Sequence, residues 1–226
     1  MAAEPAGHWG DGRHARIGLL GGSFNPAHQG HRHVAERALA ALGLDQVWLL
    51  VSPGNPLKPA RGMAPFAARL ASARRIADGR RLVATGVEAE LGTRYTADTL
   101  ELLRKRFPRA RFVLLLGADN LEQLPRWRRW RDIARTTPIA VVPRPGATRR
   151  ALAGKAARVL RRHRRRPAAL LRGAQGAHAP WCLIPGPENP ASATAIRARA
   201  AAGCGKVPSQ GKGGAHRART EAPRGR

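Results

Sequence analysis

Acidic residues are scarce in this chain: 14 Asp and Glu stand against 41 Lys and Arg, a formal net charge of +27 over 226 residues. Such a balance favours anionic partners, whether nucleotides or nucleic acid. Aromatics are also few, at 4%, and none falls between residues 144 and 173, where eleven Lys and Arg occur with no acid. Proteins that grip single strands interleave aromatics with their basic residues. That stretch therefore reads as a solvated basic helical face, and nucleic acid is not expected as a specific partner. No run of 18 apolar residues exists, so no membrane span is expected. The first fifteen residues contain Glu4 and Asp11 and lack the apolar stretch of a signal peptide. The two cysteines, Cys182 and Cys204, are too few and too far apart for a C-x-x-C site or a disulfide framework. Cys182 sits in the apolar run Trp-Cys-Leu-Ile and reads as a reduced core residue. A cytoplasmic enzyme fits these exclusions, and a homo-oligomer is compatible with them.

What is present centres on Gly21-Gly22-Ser23-Phe24-Asn25-Pro26-Ala27-His28-Gln29-Gly30-His31. An apolar run, Ile17 to Leu20, precedes it and reads as a buried strand. Residues 33–42 follow with helical apolar spacing, stopped by Gly43. A strand, a glycine turn and a helix in that order aim backbone N–H groups and the positive helix end at one point, which makes an anion site. His28 and His31, three residues apart, would stand side by side at the helix start. Gly21 and Gly22 let the backbone approach a phosphate, Pro26 fixes a bend, and Gly30 keeps the space between the histidines open. The pattern is neither the G-x-G-x-x-G of dinucleotide folds nor a P-loop.

Further along, Gln46–Val51 reads as a second buried strand, so a βαβ unit and a parallel sheet are expected. It opens into the proline loop 52–59, where Lys58 is a lone cation suited to a phosphate. A helix is expected over 63–78, a short strand at 82–84, and a helix capped at or near Thr96 whose amides favour a small anion. Phe112–Gly117 is the clearest buried strand, ending in Gly117-Ala118-Asp119, where a carboxylate can accept ribose hydroxyls. Trp130 reads as core, whereas Trp127, just after Pro125, could stack on a flat ring. A strand at 139–142 precedes one or two basic helices over 148–172, with Leu152, Ala156, Val159 and Leu160 on one face. Trp181–Ile184 is the last short strand. Ser192 begins a final helix, with Thr194 and Arg197 forming a second phosphate cradle. The organisation expected is a flexible leader 1–14, one α/β domain 15–202, and a disordered basic tail 203–226.

The motif Gly-Gly-Ser-Phe-Asn-Pro-x-His-x-Gly-His resembles that of the HIGH-type nucleotidyltransferases, and most of all bacterial nicotinate-nucleotide adenylyltransferases. The proline loop with Lys58, Tyr-Thr-x-Asp-Thr-Leu, Gly-x-Asp with its Trp region, and Ser-Ala-Thr-x-Ile-Arg are similar to the same family in the same order, over roughly residues 15–200. The resemblance implies a single Rossmann-like domain, a parallel sheet flanked by helices, and adenylyl transfer from ATP to nicotinate mononucleotide. It implies His28, His31 and Arg197 as catalytic residues. ATP would be held by these together with Gly22, Ser23, Phe24, Gly117, Asp119, Ser192, Thr194 and Ile196. The mononucleotide would meet Asn25, Lys58, Thr96 and Trp127. Mg²⁺ would ride on ATP phosphates and water rather than in a protein cage. Asn25, where the family often has Asp, and Arg128, where relatives often carry an aromatic, depart from the pattern. Competing readings are a nicotinamide mononucleotide enzyme, a sister transferase for another phosphorylated acceptor, and an RNA-binding protein on the same scaffold.

Overall fold

Strand β1 (Arg16–Gly22) is the axis of the fold, because it pairs on both sides. The structure, a computed structural model, describes residues 10–54, 62–172 and 178–204. Lys58 and most of the proline loop lie outside the described residues, as do 1–9 of the expected leader and 205–226 of the expected tail. On one side β1 pairs in parallel with β2 (Gln46–Val51), from Ile17 opposite Gln46 to Gly22 opposite Val51. This pairing carries β1 through both glycines, past the end at Leu20 suggested by the apolar run. On the other side it pairs with β4 (Arg111–Gly117), and the remaining strands are β3 (Leu82–Thr85), β5 (Ile139–Val142) and β6 (Trp181–Leu183). The six strands lie in the order β3-β2-β1-β4-β5-β6, all parallel.

A sheet buried on both faces needs continuous apolar strands, and Val47–Val51 and Phe112–Leu116 supply them. One face packs Ile17, Leu19, Trp48, Leu114 and Leu116 against Leu100, Leu103 and Phe107, and the other packs Leu20, Leu49 and Leu115 against Val34, Ala38 and Leu42. Each fully buried Leu, Val or Phe stabilises the fold by roughly 1.5–3 kcal/mol. Cys182 is fully buried in the second cluster, and burial pushes its thiol up to about 12.

Helix α1 (Gln29–Leu42) presents Val34, Ala35, Ala38, Leu39 and Leu42 to the sheet and ends at Gly43, which takes a left-handed φ of 60° that glycine alone adopts without strain. α2 (Phe66–Ile76) and a short α3 (Val87–Glu90) flank β3. α4 (Thr96–Arg106) has Thr96 as its first helical residue, behind Tyr95, and no side chain caps it. Its first amides therefore stay open. α5 (Ala118–Gln123), α6 (Trp130–Thr136), α7 (Thr148–Ala153) and α8 (Lys155–Val159) follow. The basic stretch is thus broken into short pieces, at Gly154 and again into 3-10 turns at 161–163 and 167–169. Ala151, Ala156, Ala157 and Leu160 form its buried side, while Val159, expected among them, is 52% exposed. The last helix, α9 (Ala193–Cys204), starts where Ser192 Oγ accepts the Ala195 amide at 3.2 Å, and it runs past residue 202.

Candidate active site

In this strand order the connections from β1 and β4 leave toward opposite faces, opening a crevice at their carboxyl ends, where ligands bind in open parallel sheets. A cavity of about 710 Å³ occupies that place. Its floor is apolar, with Leu19, Leu50, Leu114 and Leu116, and its walls carry polar groups from β1, α4, β4 and the approach to α9.

The histidines form the wall at the start of α1. His28 is the N-cap: its Nδ1 accepts the Gly30 amide at 3.1 Å. His31 Nδ1 in turn accepts the His28 amide at 3.2 Å. Each ring nitrogen that accepts must lack a proton, so both neutral rings carry theirs on Nε2. Burial and the charge of Arg144 push His28 down to about 4, which keeps it a neutral donor near pH 7. The rings sit 3.9 Å apart, and Phe24 packs against His31 at 4.7 Å. Phe24 itself holds a positive φ of 47°, a strained conformation for a bulky residue at a site of function. A Cβ on Gly30 would lie 2.9 Å from both the His28 ring and the Ala191 carbonyl, so glycine here lets the approach to α9 close over the histidine.

Two residues brace this wall. Asn25 is buried, donating from Nδ2 to the Gly62 carbonyl at 2.9 Å and accepting the Ala64 amide at Oδ1. A carboxylate could not donate there, so this backbone arrangement requires the amide, and the amide is committed to positioning chain. Arg69, also buried, donates to the carbonyls of Ser23, Ser52, Pro53 and Ala64, which ties the motif to the start of the proline loop.

Across the cavity, Gly117 lets the Asp119 carboxylate fold back, since a Cβ would meet Oδ1 at 2.5 Å. That oxygen is buried with no hydrogen-bond donor among the described residues, although Arg144 Nε stands 3.6 Å away. Arg94, Arg126, Arg128 and Arg144 line the same space, so the cavity is strongly cationic. Arg128, a departure from the family pattern, lies over the Tyr95 ring at 4.7 Å. Trp127 lines the cavity and Trp130 is core, as read from the sequence.

These features match a known family over most of the chain. The cytidylyltransferase-like family covers residues 19–199. A probable nicotinate-nucleotide adenylyltransferase of Gluconobacter oxydans is 60% identical over 185 residues, spanning 80% of this chain and 93% of that one. Another from Gluconacetobacter diazotrophicus is 58% identical over 194 residues, covering 85% and 89%. The chain belongs to the nicotinate-nucleotide adenylyltransferases of the cytidylyltransferase-like family. Among solved structures, Plasmodium falciparum nicotinic acid mononucleotide adenylyltransferase complexed with NaAD shares the fold, with a TM-score of 0.61, 16% identity, and coverage of 82% and 83%.

Within this family member, the cavity brings together Gly22, Ser23, Phe24, Asn25, His28, His31, Thr96, Gly117, Asp119, Trp127, Ser192 and Thr194. Ile196 and Arg197 stand outside the lining. Arg197 faces the motif from α9, donating from Nη1 to the Asn25 carbonyl and from Nη2 to Thr194 Oγ1. Glu88, Arg94, Arg144 and Arg69 were not anticipated. A usable signal existed for two of them. Arg144 follows a strand's carboxyl end, as Asp119 does, and Arg69 falls on the apolar stripe of α2 between Phe66 and Ala73.

Proposed function

We propose that the chain transfers the adenylyl group of ATP to nicotinate mononucleotide, giving nicotinate adenine dinucleotide and pyrophosphate. A mononucleotide phosphate oxygen attacks the α-phosphorus in line, a new P–O bond forms, the bond to the β-phosphate oxygen breaks, and the electron pair leaves with pyrophosphate. The nucleophile is already an anion, so no general base is needed, and positioning and charge stabilisation supply the rate. The observation that carries the reading is the reciprocal histidine cap, which presents two Nε2–H donors at the positive end of α1. These donors suit the charge that grows on the transferred phosphoryl oxygens.

In this reading Gly22, Ser23 and Phe24 offer backbone to the phosphates, while Ser192, Thr194 and Arg197 hold the leaving pyrophosphate. Gly117 makes room for Asp119, whose buried oxygen lacking a donor suits a ribose hydroxyl. Ile196, whose amide donates to the Ser192 carbonyl, belongs to the same ATP subsite. Thr96, with the uncapped amides of α4, takes the nicotinate carboxylate, and Trp127 takes the pyridine ring. Asn25 serves the site through its backbone and the chain it braces. Lys58 contributes a phosphate contact. Among the described residues no three His, Cys, Asp or Glu side chains gather as a metal cage. The cationic, carboxylate-poor lining fits Mg²⁺ that would arrive on ATP phosphates and water and would neutralise phosphate charge. No helix among the described residues is long and apolar enough to cross a membrane, and we place the enzyme in the cytoplasm, with the mononucleotide and ATP as its partners. The test is incubation with ATP, Mg²⁺ and either mononucleotide. Pyrophosphate released in step with nicotinate adenine dinucleotide supports the reading, and no release with either mononucleotide overturns it.

A further inference from the structure

Glu88 is a carboxyl group in the cavity wall that the reaction above does not use. Its side chain is 9% exposed and carries no ion pair among the described residues. Thr99 Oγ1 stands 3.2 Å from its Oε1, and the same hydroxyl lies 2.8 Å from Thr93 Oγ1 and 3.3 Å from the Tyr95 carbonyl. Thr99 is one turn beyond Thr96 on α4, so this hydroxyl cluster places the carboxyl beside the open helix start. The elements around Glu88 bring little compensating charge. β2 offers apolar Leu50, α4 turns Asp98 outward to Arg129, and Glu90 on α3 is exposed. The charged or titratable groups sharing the cavity are Arg94, Arg126, Arg128, Arg144, Asp119 and the two neutral imidazoles.

We propose that Glu88 sets how strongly the site prefers an anionic over a neutral 3-substituent on the pyridine ring, through whether its own carboxyl is charged. The proposal rests on the adenylyl-transfer reading. A protonated Glu88 is a neutral neighbour and leaves the α4 amides free to hold a carboxylate. An ionised Glu88 adds a negative charge beside the same amides, which repels a carboxylate and leaves an amide group almost untouched. Burial pushes this carboxyl up to about 7, against the pull of the Thr99 hydroxyl, so the change falls within the working range of the enzyme.

The experiment measures kcat/KM for nicotinate and nicotinamide mononucleotide from pH 6 to pH 8.5 and follows their ratio. The two substrates share the phosphate and the ATP, so titrations that act on those cancel in the ratio, and Glu88→Gln separates Glu88 from the other titrating groups of the cavity. In the unaltered protein the nicotinate preference should fall roughly threefold to tenfold as pH rises. In Glu88→Gln, which keeps the shape and removes the titration, the ratio should stay flat at its low-pH value. A ratio constant within twofold in the unaltered protein overturns the proposal, and so does an undiminished pH slope in the variant. Neither result touches the adenylyl-transfer reading, which fails only if no pyrophosphate is released.

Discussion

Arg197 donates its Nη1–H to the main-chain carbonyl of Asn25, so a residue of the last helix grips the first motif across 172 positions of sequence. The contact closes the site on the side where ATP phosphates would lie, and the guanidinium gives its hydrogen bonds to the Asn25 carbonyl and Thr194 Oγ1, with no acid partner among the described residues. Arg197→Ala should lower kcat at least tenfold. The side chain is exposed, so the melting temperature should move by less than about 3 °C. Steady-state kinetics beside a thermal melt check this. A variant that melts far lower while the surviving fraction turns over normally would make Arg197 a structural tie only.

The histidine cap separates two roles of one ring. His28→Ala removes both the Gly30 acceptor and the Nε2–H donor. It should cost about 1 kcal/mol, a drop of about 2–4 °C in melting temperature, and about a hundredfold or more in kcat. His28→Asn supplies a good N-cap acceptor but no donor at the Nε2 position. It should melt near the parent while remaining as inactive as the alanine variant. Equal turnover in His28→Asn and the parent would remove the histidine from the chemistry.

Glu88 and His28 should tie stability to pH with opposite signs, over windows that overlap between 4.5 and 6.5, where the two terms oppose. Glu88 is pushed up to about 7 from an ordinary 4.5, so its contribution is fully present below 4.5 and is lost as pH rises through 7. His28 is pushed down to about 4 from 6.5, so the native state binds fewer protons than the unfolded chain between those values, and stability falls as pH drops through that window. Glu88→Gln should therefore raise the melting temperature relative to the parent above pH 7, because it removes the Glu88 term. His28→Asn should leave that term unopposed, so its melting temperature should fall more steeply than the parent's as pH rises from 4.5 to 6.5. Melts at pH 4.5, 6 and 8.5 separate the two terms, and a difference between pH 4.5 and 8.5 in Glu88→Gln equal to the parent's would show that the buried carboxyl contributes nothing.

Much of this architecture was legible because the signals were local. A continuous apolar run ended by glycine marks a buried parallel strand, and Val47–Val51 and Phe112–Gly117 carried that signal without ambiguity. The H-x-G-H spacing placed two imidazoles on one helix turn before any tertiary contact was known. Long-range partners left no such trace. Glu88 lies in Val-Glu-Ala-Glu, where no element was expected, and its carboxyl is met by Thr99 from α4, a contact with no local signal. Asn25 lines the cavity, but nothing in the sequence signalled that its amide also bonds the chain at Gly62 and Ala64, 37 and 39 residues away. The basic stretch had helical spacing, and its expected face held at Leu152, Ala156 and Leu160 but not at Val159, which the short helix leaves exposed.

Substrate choice can be divided between two groups of the same pocket. Nicotinate and nicotinamide mononucleotides differ only in a carboxylate against a neutral amide. The uncapped amides at the start of α4 can stabilise the anion by charge-assisted hydrogen bonds, each contributing about 1.5–3 kcal/mol. That corresponds to roughly tenfold to somewhat over a hundredfold in kcat/KM in favour of nicotinate. Trp127 faces the cavity from beyond a 3-10 turn, where its backbone amide bonds Leu124 and its carbonyl accepts from Trp130, so the ring is held on a fixed platform. Stacking acts on the flat face of either pyridine ring and is blind to the substituent. Trp127→Ala should therefore weaken both substrates about fivefold to a hundredfold while their ratio stays within twofold of the parent at a fixed pH. Parallel kcat/KM measurements test the division. If the ratio collapses in Trp127→Ala, the tryptophan rather than the helix start carries the selectivity, and the assignment of the carboxylate to the α4 amides is wrong.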